Sequence, residues 1–329
     1  MYALVTGANG FLGRHIVEQL VARGDQVRAL CRRDDPQLTE LGVELVRGDI
    51  RDRAAVLEAC RGVDVVFHVA ALTGIWGRWQ DFYETNTLGT EYVIEGCRKH
   101  GVPRLVYTSS PSVTFDGQDQ MGVDESIPYP TSWNCHYPHS KALGEQGVLQ
   151  ANGTEDLKTC SLRPHLIWGP RDTNLFERLV ERARSGRLRR VGEGNNIVDT
   201  VYVENAASAH LLAAEALEGD APAAGRAYFI SQGEPVNCWQ WVDRLLAVAG
   251  LPPVKKAISR RAARGIGRIC EVTYHTLRLS SEPPMTRFLA DQLSTSHYYN
   301  ISRARADLGY EPTISTEEGL ERMAAVYSK

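Results

Sequence analysis

Residues 7–13 read GANGFLG, directly after the apolar run YALVT (2–6) and directly before GRHIVEQLVARG. The apolar run reads as a strand, and the periodic segment as a helix closed by Gly24. Glycines between a strand and a helix allow a tight turn and close backbone approach. The helix N-terminus then offers free N–H groups and a positive dipole to a pyrophosphate. The spacing is G-x-x-G-x-x-G, and its place at a strand-to-helix junction carries the reading, because the string alone is a weak signal. Gly7, Asn9, Gly10, Phe11, Leu12 and Gly13 are therefore candidate dinucleotide contacts.

The alternation continues. QVRALCR (26–32), VELVRGD (43–49), DVVFHVAA (64–71), RLVYTSS (104–110) and KTCSLRP (158–164) read as strands. Helical patterns lie between them, including NTLGTEYVIEGCRKHG and a helix from Tyr137 to about Gln150. This predicts an α/β fold: a Rossmann-type, doubly wound parallel sheet with right-handed crossovers. After WGPR (168–171) the pattern changes. VDTVYV (198–203) reads as a strand returning to the main domain, AYFIS (227–231) as a further strand, and helices dominate from 233. We expect a dinucleotide-binding domain over 1–165 with a returning segment at about 196–231. Residues 166–329 would form mainly a smaller, mixed substrate-binding lobe.

The end of the second strand discriminates between cofactors. An acidic residue there suits a ribose 2′-hydroxyl, whereas arginine suits a 2′-phosphate through bidentate contacts. Here LCRRDD places Arg32 and Arg33 first and Asp34 and Asp35 after them. NADP(H) is favoured over NAD(H), with Asp34 on the ribose as the alternative. Asp49 and Ile50, after the third strand, fall where an adenine ring would lie.

Tyr137 and Lys141 stand four apart in CHYPHSKALGE (135–145), so they share one helix face. An ammonium beside a phenol favours phenolate, which would lower the tyrosine pKa and make it a usable acid or base. His68 reads as a packed strand histidine, and His139 needs no function.

Charge and composition exclude other classes. The net charge of −3 gives no bulk attraction to nucleic acid or anionic membrane. The 7 scattered cysteines form no C-x-x-C and fit free thiols in a reducing cytoplasm. No metal-ligand spacing appears, so no metal is expected. No signal peptide and no apolar run of about 18 residues is seen. The segment at 262–279, broken by arginines, reads as a helix packed on the protein, with membrane contact at most peripheral.

GANGFLG, GDI (48–50), HVAA (68–71), NTLGT (86–90), TSS (108–110), YPHSK (137–141), LRP (162–164) and YYNISRARADLGYEP (298–312) follow in order. Together they resemble the extended short-chain dehydrogenase/reductases of the NAD-dependent epimerase/dehydratase superfamily, over almost the whole chain. YTSSPSVTFDG and DESIPYP are similar to its 3β-hydroxysteroid dehydrogenase branch. That branch includes bacterial 2-alkyl-3-oxoalkanoate reductases and sterol-4-carboxylate 3-dehydrogenases. The resemblance implies catalytic roles for Tyr137 as general acid or base, Lys141 as ribose anchor, and Ser110 as hydrogen-bond donor to the reacting oxygen, with Ser109 its rival. It implies cofactor contacts at Ala70, Ala71, Asn86 and Pro164, the alternative for Asn86 being a helix cap. It also implies a homodimer through the NTLGT and YPHSK helices, and leaves open an assembly with other pathway enzymes.

Three positions separate reaction classes within the resemblance. Dehydratases carry Asp-Glu where Pro111 and Ser112 stand. Sugar-nucleotide enzymes carry asparagine where RPHLIWG has Leu166, and arginine where Val198 precedes Asp199. The expected activity is interconversion of 3-oxo and 3-hydroxy groups on a small apolar substrate, with a 2-alkyl-3-oxoalkanoate first, a sterol second and a nucleotide sugar third. The loop GIWGRWQD (74–81) is the expected substrate wall, with Arg78 a candidate for a substrate carboxylate.

Overall fold

The computed structural model describes residues 1–327. Seven strands form the central sheet: β1 (Tyr2–Thr6), β2 (Gln26–Cys31), β3 (Glu44–Arg47), β4 (Val65–His68), β5 (Arg104–Thr108), β6 (Lys158–Pro164) and β7 (Arg226–Ile230). Their order is β7-β6-β5-β4-β1-β2-β3, and every neighbouring pair is parallel. The chain runs outward from β1 to β3, then restarts on the other side at β4. That reversal opens a crevice at the carboxyl ends of β1 and β4, where ligands bind in such sheets.

Helices cover both faces, which is why successive residues of β1, β4 and β5 are buried rather than alternating with exposed ones. One face is covered by α1 (Phe11–Ala22) and the other by α2 (Arg53–Ala59), α3 (Gly89–His100) and α4 (His136–Ala151). Further on, α5 (Phe176–Arg184) belongs to the lobe, and α6 (Val203–Glu215) packs beside α1 on the sheet. The lobe has its own core, in which α7 (Cys238–Val248) buries Trp239 and Trp241 beside Trp168. The longest helix among the described residues, α8 (Arg260–Thr276), packs through Ala263 and Gly267 and leaves Ile266, Ile269 and Val272 exposed.

The segment 198–203 departs from expectation. It is split into Ile197–Val198 and Val201–Tyr202, and neither piece joins the central sheet. Between them the buried Asp199 carboxylate accepts from the Tyr299 amide at 2.9 Å and pairs with His165 at 2.5 Å, so a short side chain breaks the strand from within. The segment that returns to the sheet is α6 followed by β7, at the β6 edge.

All seven cysteines are free thiols, and six are buried. No helix among the described residues is long and apolar enough to cross a membrane. No cluster of three or more His, Cys, Asp or Glu among them is arranged to hold a metal ion.

Candidate active site

A cleft of about 850 Å³ runs along the carboxyl ends of the strands. At one end it is floored by the glycine turn. Gly7 has φ +71°, and a Cβ there would lie 2.8 Å from the Ala70 backbone. A Cβ on Gly13 would meet the Gly7 carbonyl oxygen at 2.1 Å. Only glycine lets these backbones approach so closely. Helix α1 starts at Gly10 with no side chain capping its N–H groups, which leaves them to a ligand.

Gly7, Asn9, Gly10, Phe11, Leu12, Gly13, Arg32, Asp49, Ile50, Ala70, Ala71 and Pro164 all line this cleft. Arg33 and Asn86 do not. Arg33 is exposed on the surface beyond β2. Asp34 is likewise exposed and outside the cleft, and Asp35 is occupied capping Pro36–Glu40 and pairing with Arg14. Asp49 is held by Arg51 at 2.9 Å, whose hydrogen bond keeps the carboxylate below its ordinary pKa. Of the charges at the end of β2, Arg32 alone faces the cleft.

Asn86 sits in a π-helical stretch, Tyr83–Leu88, that leads into α3. It is not a helix cap. Its amide accepts from the Leu72 N–H at 2.7 Å and donates to the Leu72 carbonyl at 2.9 Å and to Ser140 Oγ at 3.0 Å. One buried side chain thus ties the cleft wall at Leu72 to the turn of α4 that carries Lys141.

Ser109, Ser110, Tyr137 and Lys141 meet in the middle of the cleft. Ser110 ends the β5 extension and caps Pro111–Thr114, its Oγ accepting from the Ser112 amide at 3.2 Å. Ser109 Oγ is buried without a hydrogen-bond partner, an orphan that a bound cofactor or substrate would satisfy. Lys141 is 1% exposed and donates to the Thr108 carbonyl at 2.6 Å.

The electrostatics correct one expectation. Lys141 was expected to depress the Tyr137 pKa. In the protein alone, burial dominates and pushes the phenol up to about 12, against the pull of the facing Ser110 hydroxyl. Lys141 is shifted too. Burial brings its pKa down to about 7, only partly offset by Glu145, so much of its charge is lost at neutral pH.

Glu145 was missed by the sequence reading, although it lies one further turn along the Tyr137–Lys141 face. It is fully buried, and it accepts from Arg163 Nη2 at 2.6 Å, Tyr129 at 2.6 Å and Ser161 at 2.7 Å. His68 is packed, as expected, between Thr6 Oγ1 at 2.7 Å and Thr90 Oγ1 at 3.0 Å, and burial pushes its pKa down to about 3. His139 stacks between the Trp79 and Trp133 rings.

The far end of the cleft is apolar, with Leu72, Ile75, Leu166, Ile167, Leu175 and Phe288 in its walls. Of the 74–81 loop only Gly74, Ile75 and Asp81 reach it. Arg78 points outward, 80% exposed and paired with Asp81 at 2.6 Å.

Comparison with known proteins then places the chain. The profile of the 3-beta hydroxysteroid dehydrogenase/isomerase family matches residues 4–259. The chain belongs to this family. It is an NAD(P)-dependent oxidoreductase, as the glycine turn and the Tyr-Lys pair indicate. A 2-alkyl-3-oxoalkanoate reductase of Stenotrophomonas maltophilia is 52% identical over 328 residues, covering 99% of both chains. A sterol-4-alpha-carboxylate 3-dehydrogenase, decarboxylating, of Homo sapiens is 36% identical, covering 97% of this chain and 86% of that one. The solved structure of MoeE5 in complex with UDP-glucose and NAD has a TM-score of 0.74 at 25% identity, covering 99% and 98% of the two chains. A nicotinamide dinucleotide fits the cleft on the chain's own terms: a glycine cradle with no room for Cβ atoms, an uncapped helix start and an orphaned serine.

Proposed function

We propose that this chain is an NADP(H)-dependent reductase that converts the 3-oxo group of a 2-alkyl-3-oxoalkanoate to a 3-hydroxy group. The observation that carries the apolar substrate is Leu166. It lines the cleft with φ +42°, in the left-handed region. Asparagine tolerates that conformation, whereas a leucine there is strained by about 1 kcal/mol or more. This position, where sugar-nucleotide enzymes carry asparagine, thus holds an apolar side chain against its backbone preference. The 52% identity to a 2-alkyl-3-oxoalkanoate reductase supports the same reading.

When bound, the nicotinamide supplies the hydride. The chain's own residues supply the rest. Tyr137, held at about 12, stays protonated at neutral pH and is therefore a proton donor to the carbonyl oxygen, which suits reduction. Ser110 faces Tyr137 and gives the developing alkoxide a second donor. Lys141, in its charged form, favours a phenolate developing on Tyr137, and Asn86 fixes the turn that carries it. Arg32 meets the 2′-phosphate.

The test is nicotinamide oxidation by the purified chain with a long-chain 2-alkyl-3-oxo acid, comparing NADPH with NADH. Consumption that prefers NADPH and yields the 3-hydroxy acid is expected. Turnover of sterol alcohols or nucleotide sugars with none of the oxo acid overturns the proposal.

A further inference from the structure

The substrate reading leaves one charge unassigned. A 2-alkyl-3-oxoalkanoate carries a carboxylate one carbon from the reacting carbonyl. Four cations of lysine or arginine line the cleft: Arg32, Arg51, Lys141 and Arg178. Arg32 and Arg51 flank the glycine turn's end, and Arg51 is held by Asp49. Lys141 is buried against the Thr108 carbonyl. Arg178, in the first turn of α5 just after Asn174 and Leu175, lies at the lobe end.

Arg178 is not a lone surface arginine. It pairs with Glu282, from the segment between α8 and Arg287–Gln292. Arg182, one turn further along the same face of α5, reaches the same Glu282 oxygen at 3.6 Å. Burial lowers the Arg182 pKa and the charge of Arg178 lowers it further, so two guanidinium groups are crowded around one carboxylate. Glu282 is thus shared between two cations, with Glu181 also beside Arg182, at the end of the cleft walled by Leu166, Leu175 and Phe288 together with Asn174 and Gln292. A guanidinium holds a carboxylate in a bidentate fork, which also fixes its orientation.

On the β-keto acid reading above, we propose that Arg178 is the positioning residue for the substrate carboxylate, and that Glu282 is its competitor in the ligand-free protein. Substrate binding exchanges one carboxylate for another on Arg178, while Arg182 retains Glu282. The carboxylate anchor then points the 3-oxo group at Tyr137 and leaves the two alkyl arms to the apolar walls.

The experiment compares a 2-alkyl-3-oxo acid with its methyl ester, which keeps the ketone and both arms and loses the charge. Arg178→Met is expected to raise KM for the acid about tenfold or more and leave the ester within about twofold, with Arg178→Lys intermediate. Glu282→Gln removes the competitor and is expected to lower KM for the acid, again without moving the ester. NADPH affinity should be unchanged in all three, which separates the role from a folding defect. Equal changes for acid and ester, or a rise in acid KM in Glu282→Gln, overturns the assignment of Arg178 while leaving the reductase reading intact. Wild-type protein that reduces neither compound overturns the β-keto acid reading and this inference with it.

Discussion

The Lys141 amine donates to the Thr108 carbonyl at 2.6 Å and lies 4.0 Å from the centre of the Tyr107 ring. This buried berth, with its pKa near 7, gives the site a pH response. The charged amine is the form that supports a phenolate developing on Tyr137, and it is present below about 7 and lost above it. Tyr137, near 12, supplies its proton throughout that range. We therefore predict that kcat/KM for reduction, which reports the free enzyme, falls as pH rises through about 7 to 9. Lys141→Arg, which cannot lose its charge, should flatten that limb. A wild-type profile level to pH 9 contradicts the assignment.

Cofactor choice is predicted to rest on Arg32 and not on its neighbour. Arg32→Ala removes a charge-assisted phosphate contact worth about 1.5–3 kcal/mol, so KM for NADPH should rise roughly ten- to a hundredfold with NADH little changed. Arg33→Ala should leave both nearly unmoved, because Arg33 stands outside the cleft. Steady-state kinetics with the two cofactors decide it.

Leu166→Asn is predicted to separate stability from function. Asparagine tolerates the left-handed backbone, and the roughly 1 kcal/mol of strain it relieves offsets much of the apolar contact Leu166 makes with the lobe core, so stability in chemical denaturation should change little. It should lose activity, since the new amide faces the apolar arms of the substrate. A variant both destabilised and fully active contradicts the reading of this position.

The Glu145–Arg163 pair joins the catalytic helix α4 to β6, with side chains 0% and 3% exposed. Removing one partner strands a buried charge, so Arg163→Met should cost about 3–5 kcal/mol in urea unfolding. Glu145→Gln with Arg163→Met should recover part of that loss, because the uncompensated carboxylate is gone.

How much of this was legible in the sequence depends on the range of the interactions involved. The glycine turn and the parallel strands rest on local spacing, and β6 falls on the expected residues 158–164. Tyr137 and Lys141 were visible for the same reason, since i and i+4 meet on any helix. The broken strand at Asp199 was not, because its cause is a hydrogen bond to Tyr299, a hundred residues away. The depressed Lys141 and raised Tyr137 pKa values were hidden likewise, since burial is a property of the packed fold. Arg178 lines the cleft where Arg78 does not, because the start of α5 borders it while the 74–81 loop turns its arginine to solvent. The signal for Glu145 was present, as the third residue of a Tyr-Lys-Glu series at four-residue spacing.

The central claim is that Tyr137 gives the proton in carbonyl reduction. Its most direct test is the Tyr137→Phe variant, assayed for turnover of a 2-alkyl-3-oxo acid and for NADPH affinity. The account predicts turnover lower by about a hundredfold or more, with NADPH affinity within a few-fold of wild type. Near-normal turnover in that variant contradicts it.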